Sequence, residues 1–495
     1  MRGRGFVVIA FALLITSLRT GSSSGQPTPE TIELRVMTFN IWYGATPTDG
    51  LGEVIEAIEA ADADVVGMQE PYARLRRIAL ALGFHASPRM HVISRYPILE
   101  PAGSDGDWAL LLLGPGQVAA IANEHLPCCP YTPYRIVNRG YDRETILEQE
   151  RRTRLRRIER HLAALAPVLG ADIPTFFTGD FNAPSHRDWT QRVVEARGLP
   201  YPVRWPVSLA MEAAGFVDSY RTVRPDPLAD PGFTWTPGYP APFVYPWDLH
   251  DRIDFVWAAG PAVPLESDVV GESAANADIV IDPYPTDHRG VVSTFDVTPA
   301  TPPVFVAAAS ERARPGVALE VTFHAPGGAG EHVTLTPAGS APVADEPTGP
   351  GSPSDGTIVF DTTGLEQGPY ELALLDGDAA ELARDTVVLV SEGQPPILTV
   401  ADETLEGDQA LEVTWAFAPG NRFDWFGVFR AGLTAKTGTI KAWRYLEGRV
   451  GGAFDLGAGV RGVAGWPLPA GDYELHLCLD DSYRCRVSVP FRVLG

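Results

Sequence analysis

The chain has 495 residues, 45% hydrophobic and 20% charged, enough for several domains with sizeable cores. Its 62 Asp and Glu against 39 Lys and Arg give a formal charge of −23, which excludes a global basic footprint for nucleic acid; only a local cleft, made positive by a bound cation, could serve an anionic substrate. With 49 Gly and 45 Pro the composition suits a loop-rich, strand-containing protein better than a helical bundle.

Residues 1–25 place Arg2 and Arg4 ahead of the apolar run 6–15 and a Gly/Ser stretch, the layout of a cleaved signal peptide. The run is short for a membrane span and no Cys follows it, so a secreted or periplasmic protein without a transmembrane anchor is expected. Over residues 26–298 strands and helices alternate. LRVMTFNIW reads as a strand, 51–61 as a helix, DVVGMQE as a strand and YARLRRIALALG as a helix. HVISRYPIL, WALLLL and QVAAIANEHL read as further strands. One long helix is expected through LEQERRTRLRRIERHLAALAPVLG. Its Leu155, Ile158, Leu162, Leu165 and Leu169 form a core-facing stripe, and its arginines at 151, 152, 154, 156 and 157 lie mainly on the solvated face. TFFTGDF, FTWTP, RIDFVWA and GVVSTFDV complete the strands, and the mixture predicts a layered α/β (α+β) sandwich.

At VTPATPPV (297–304) the composition shifts to that of a linker. Beyond it only short alternating runs appear, and the two blocks 299–393 and 394–495 end alike, in YELALLDGDAAELARDTVVLV and YELHLCLDDSYRCRVSVPFRV. A duplicated β-sandwich module is expected. Cys478 and Cys485 flank LDDSYR and are expected to bridge a hairpin, although strict alternation puts them on opposite faces, so a bulge or an odd loop is required. Cys128 and Cys129 form either a vicinal bridge or two separate thiols.

Within the first 298 residues, polar groups interrupt apolar runs at strand ends. Asn40 ends RVMTFN, Glu70 ends DVVGMQE, His125 follows IANE, Asp254 sits in RIDFV, and Asp287 and His288 precede GVVSTF. In TFFTGDFN, extended geometry puts Asp180 and Asn182 on one side of the chain with Phe181 on the other. One such residue is usually a cap or turn former; so many in one domain suggest a site in converging strand-end loops. Hard oxygen donors such as Glu70 and the neighbouring carboxylates suit Mg²⁺ or Mn²⁺ bridging to phosphate, and two histidines beside acidic or polar partners suit general acid–base work. No GxSxG, P-loop or GxGxxG motif is present, and no zinc-type Cys/His spacing.

The stretches TFNIW, VVGMQE, NEHL, TGDFNAPS, DRIDFV and TDHRG, in that order, make residues 32–298 resemble the endonuclease/exonuclease/phosphatase superfamily of pancreatic DNase, abasic-site endonucleases, neutral sphingomyelinases and inositol polyphosphate 5-phosphatases. The resemblance implies a four-layer, DNase-like sandwich, here followed by two all-β, immunoglobulin-like modules. It also implies Mg²⁺ (or Mn²⁺), with Glu70 as principal metal ligand, Asn40 beside it and Asp287 assisting. Asp180 would orient or deprotonate water and Asn182 would hold a phosphate oxygen. His288, oriented by Asp254, would contact the scissile phosphate, with His125 as the second histidine there. Thr286 stands where the family usually has Ser, and Trp42 stands where abasic-site enzymes carry an acid. His186 either lines the pocket or sits in an exposed turn. WPVS, GFVDSYR and PGFTWTP resemble stretches of secreted bacterial members without implying a substrate. The final block is similar to SKICH-type accessory sandwiches, which implies binding to a surface or partner.

The expectation is an exported, monomeric, metal-dependent phosphodiesterase acting on nucleic acid, a phospholipid headgroup or an inositol phosphate. The competing class is a secreted binding or adhesion protein on the same scaffold. The loop FVYPW (243–247) is expected to frame the cleft, or else to form an apolar membrane-contacting hairpin.

Overall fold

A computed structural model describes residues 31–237, 249–349, 355–391, 393–433, 438–457, 463, 465–480 and 482–494; the expected signal peptide and the FVYPW loop lie outside them. Two sheets form the first part. One has seven strands, with Ile32–Asn40 between the parallel Val65–Gln69 and the antiparallel Gly290–Val297. The other has six, with Thr175–Asp180 between the parallel Gln117–His125 and the antiparallel Asp254–Ala259.

Alternation along each strand divides its residues between two layers. Leu34, Val36, Ile121, Phe176, Val256, Ala258 and Phe295 meet between the sheets. Met37, Phe39, Val66 and Met68 turn outward to the helices Leu51–Ala60 and Leu75–Leu82. Phe177, Phe181, Phe255 and Trp257 turn the other way, onto Arg156–Ala164 and Pro206–Ala213. The result is the expected four-layer α/β sandwich.

The expected long helix is broken. Helix Arg143–Glu150 passes through a π-turn at Arg151–Leu155 into Arg156–Ala164, and a short helix Ala166–Gly170 with Pro167 in its first turn follows. The leucine stripe does face the core, with Ile158 and Leu165 fully buried. Arg154, however, is also fully buried. It pairs with Glu150 at 2.6 Å and donates to the carbonyls of Cys128 and Pro130 at 3.1 and 2.8 Å. The π-turn re-aims this arginine inward, which a uniform 3.6-residue period does not anticipate. FTWTP is likewise no strand; Trp235 only bridges Asp251 and His288.

Beyond residue 300 no helix occurs among the described residues. The strands form two pairs of three- and five-stranded sheets with the same order, Phe305–Ala308 opening the first pair and Ile397–Val400 the second, as duplication predicts. The expected linker is stitched down: Ala300 and Val118 exchange backbone hydrogen bonds of 2.9 and 3.0 Å, and Phe305 and Ala307 join the core of the first part. Cys478 and Cys485 are bridged, and a register shift after Leu477 brings the two faces together. Cys128 and Cys129 are free thiols. No described helix is long and apolar enough to cross a membrane.

Candidate active site

The inner faces of both sheets are apolar at mid-strand and polar at one end. Register sets His125, Asp180 and Asp254 side by side across three adjacent strands, His125 opposite Asp180 and Asp180 opposite Asp254. Asn40, from the facing sheet, donates from Nδ2 to Asp180 Oδ2 at 3.0 Å. The same oxygen lies 3.4 Å from His125 Nε2 and 3.7 Å from His288 Nε2. His288 Nδ1 pairs with Asp254 Oδ2 at 3.0 Å, while Asp254 Oδ1 is buried without a hydrogen-bond partner among the described residues. Asp180, Asp254 and His288 thus offer donor atoms within 4.8 Å of one another.

Asn182 departs from the extended geometry expected of it. The strand ends at Asp180, and Asn182 takes a left-handed φ of 48°. Its N–H donates to Asp180 Oδ1 at 2.9 Å and its side-chain amide to the Leu126 carbonyl at 3.0 Å. Glu70 also follows a strand end with a left-handed φ, of 58°. Such backbone costs on the order of 1 kcal/mol or more for a non-glycine residue and concentrates where side chains must be aimed.

Glu70 and Asp287 stand at the rim. Glu70 Oε2 accepts from the Tyr43 N–H at 2.9 Å, and Asn40 Oδ1 from the Trp42 N–H at 3.0 Å. Thr286 donates to the Asn40 carbonyl at 2.9 Å, so the Thr replacing the family's usual Ser keeps a hydroxyl there that ties the Asp287–His288 segment to the first strand. Burial pushes the Asp287 carboxyl up to about 6; Glu70 and Asp180 add to this and His288 opposes it. Mutually repelling carboxylates with an adjacent amide oxygen are a hard donor set, and a divalent cation would relieve the repulsion. Asn40, Glu70 and Asp287 therefore fit such an ion.

Burial also raises the Asp180 carboxyl, and Asp254 adds to it against the two histidines. For His288 burial favours the neutral ring, but Asp254 and then Asp180 prevail and raise it to about 10, so the imidazolium persists at neutral pH.

The sequence reasoning missed a supporting layer one pleat deeper. Gln69 donates to Asn123 Oδ1 at 2.7 Å, Thr178 donates to the same atom at 3.0 Å, and Asn123 donates to the Met68 carbonyl at 2.9 Å. Thr38, which accepts from Gln69 at 3.2 Å, Asn123 and Thr178 each precede a site residue by two, so the alternation that singled out Asp180 would also have found them. The unassigned motifs are absorbed as supports too. In PGFTWTP, Thr234 Oγ1 accepts from the N–H groups of Ile253 and Asp254 at 3.0 and 3.1 Å, and Trp235 packs on His288 with ring centroids 4.8 Å apart. In PSHRDW and GFVDSYR, Asp188 and Asp218 hold the buried Arg252, with the Asp218–Arg252 contacts at 2.9 and 2.6 Å, two residues before Asp254. His186 bonds Ser208 of WPVS at 2.9 Å and pairs with Glu212, a structural position outside the carboxylate–histidine cluster.

The profile of the Endonuclease/Exonuclease/phosphatase family matches residues 37–288, just over half of the chain, and spans this whole cluster. The chain belongs to that family. Members of the endonuclease/exonuclease/phosphatase family are phosphoesterases and nuclease-type hydrolases, commonly with divalent metals, and a phosphate-ester substrate fits. An uncharacterized protein of Caenorhabditis elegans is 29% identical over 313 residues, 57% of this chain and 97% of the relative. The crystal structure of an endonuclease/exonuclease/phosphatase from Beutenbergia cavernae DSM 12333 is 18% identical with a TM-score of 0.34, covering 72% of this chain and all of that one. An alpha-2-macroglobulin from Escherichia coli is 10% identical with a TM-score of 0.18, covering 48% of this chain and 22% of that one.

Proposed function

We propose that the chain is an exported phosphodiesterase that uses a divalent cation, Mg²⁺ or Mn²⁺, to hydrolyse a phosphate diester by in-line attack of water. The observation that carries this reading is Asp180, held by Asn40 and Asn182 N–H and flanked by His125 and His288. A carboxylate fixed by two donors can orient a water and accept its proton. His288, with its Nδ1 held by Asp254, presents a protonated Nε2 toward charge developing on the phosphate oxygens. His125, from the neighbouring strand, is placed to donate a second hydrogen bond there, and Asn182 is locked beside Asp180 to hold a phosphate oxygen. A cation on Glu70, Asn40 and Asp287 would supply further neutralisation of that charge. Export is supported by the sequence of residues 1–25.

The test is hydrolysis of bis-p-nitrophenyl phosphate by purified protein with Mg²⁺ or Mn²⁺. Glu70→Ala and His288→Ala should each lower kcat by at least about a hundredfold, as loss of one electrostatic stabiliser does elsewhere. Full activity in both variants would overturn the site assignment. Inactivity of the wild type with every divalent metal would favour a binding protein on this scaffold.

A further inference from the structure

Strand Gln117–His125 outruns one of its neighbours: the antiparallel strand Ala109–Gly114 pairs with it only as far as Ile121. Beyond that point side chains take the place of a neighbouring strand. Glu124, fully buried, turns Oε1 back to accept the His125 N–H at 2.9 Å. Arg422, which belongs to the second module, donates from Nη1 to the Asn123 carbonyl at 3.1 Å and from Nη2 to Glu124 Oε2 at 2.9 Å. One guanidinium therefore grips both residues that precede His125, whose Nε2 lies 3.4 Å from Asp180 Oδ2. Arg157, at 2.8 Å, and His161 hold the same carboxylate from helix Arg156–Ala164 of the catalytic part.

The turn that carries Arg422 is braced. Asp424, fully buried, accepts from the Asn421 N–H and the Asn421 side-chain amide, each at 3.0 Å. It also accepts at 3.0 Å from the N–H of Asp480, in the hairpin closed by Cys478 and Cys485. Phe423 packs edge-on against His91 with ring centroids 5.4 Å apart. The Arg422 side chain is only 12% exposed, and burying a guanidinium is costly unless its partners are well placed. A module that served only to tether the enzyme would have no need of such a contact beside the catalytic cluster.

We propose that Arg422 is a positioning residue of the active site: through Glu124 and the Asn123 carbonyl it fixes the end of the strand so that His125 stays aimed at Asp180. The geometry of the site then depends on the second sandwich module. Turnover as a readout rests on the phosphodiesterase reading above; the placement of His125 does not.

Two measurements on the full chain test it. In the first, kcat and KM for bis-p-nitrophenyl phosphate with Mg²⁺ are compared for R422M, H125A and the double variant. R422M should lower kcat about tenfold or more with KM nearly unchanged, because a displaced catalytic group weakens the transition state rather than substrate binding. In the H125A background the same substitution should cost less than about twofold, since the group it positions is already gone. L411A truncates a fully buried leucine in the second module's own core and should keep the wild-type kcat. An unchanged kcat in R422M, equal fold losses in both backgrounds, or an equal loss in L411A overturns the proposal. In the second, isotope-labelled histidine rings are observed by NMR at a single pH, the His125 signal being identified by its loss in H125A. That signal should shift in R422M and stay in place in L411A; a His125 signal unmoved in R422M overturns the proposal. If the wild type hydrolyses nothing, the phosphodiesterase reading fails and the NMR measurement alone decides. Should R422M not fold, R422K, which keeps the charge without the planar fork, is held to the same outcomes.

Discussion

Substituting Arg422→Met would remove a charge that the second module inserts into the catalytic part. Arg422 donates to Glu124 Oε2 at 2.9 Å and to the Asn123 carbonyl at 3.1 Å, while its neighbour Phe423 packs edge-on against His91. Glu124 is fully buried and adjoins His125, whose N–H it accepts at 2.9 Å. Burial opposes its ionisation, but Arg422, Arg157 and His161 together hold its carboxyl well below the usual range. Breaking one arm of a buried ion pair costs roughly 3–5 kcal/mol. Arg157 at 2.8 Å remains, so the lower end, about 3 kcal/mol, is expected at pH 7. A carboxyl with a depressed folded-state pKa contributes stability above its unfolded value of about 4.5 and loses it as pH falls through the folded one. Wild type and variant should therefore converge in acid. Equilibrium urea denaturation of the full chain at pH 7 and at successive steps into acid measures this, the gap starting to narrow only below about pH 4.5, with E124Q and the double variant closing the cycle at pH 7. A loss under about 0.5 kcal/mol at pH 7, or strict additivity in the cycle, would refute the argument.

Gly67→Ala should destabilise by about 3 kcal/mol in urea denaturation, because an added Cβ would lie 1.9 Å from Thr178 Oγ1 and 2.6 Å from Asn123 Oδ1, forcing the supporting layer apart. Saturation with Mg²⁺ at a hundred times its Kd should stabilise the wild type by about 2.7 kcal/mol, read as a rise in Tm over the chelated protein. E70A should abolish that rise, and an equal rise in E70A would place the ion elsewhere. Glu100, which accepts from Ser87, is raised to about 7 by burial, with Glu311 adding to it. The folded state then holds the proton more tightly than the unfolded one, so this residue lowers stability as pH rises from about 4.5 to 7. E100Q should equal wild type near pH 4 and exceed it at pH 8 by up to about 3 kcal/mol, checked by urea denaturation across pH.

Much of the site was legible because it follows alternation. TFFTGD, QVAAIANEH and IELRVMTFN each place their final polar residue on the face that meets the opposite sheet, so a period of two sufficed. What lay beyond that period was lost. The inward turn of Arg154 depends on a π-turn, and the left-handed bend at Asn182 replaces the extended geometry expected of it. The roles of Thr234, Asp188 and Asp218 depend on loops converging over long sequence distances, which no local pattern encodes. The duplication was visible in the matching module ends. The docking of Arg422 against Glu124 was not, because a lone arginine in a turn resembles any solvated charge.

The first strand, Ile32–Asn40, is flanked on one side by the last strand of the catalytic part, Gly290–Val297, paired from Ile32 with Val297 to Thr38 with Val291. During synthesis the earliest segment must therefore wait for the latest, with more than two hundred residues emerging between them. Asn40 and Glu70 leave the ribosome early, His288 late, and Asp180 midway. The competent cluster cannot assemble on a nascent chain until nearly the whole catalytic part has been translated. Closing so long a loop costs entropy that must be met before the pairing of these strands rewards it. A site divided in this way between early and late segments is complete only when the two ends of the catalytic part have met.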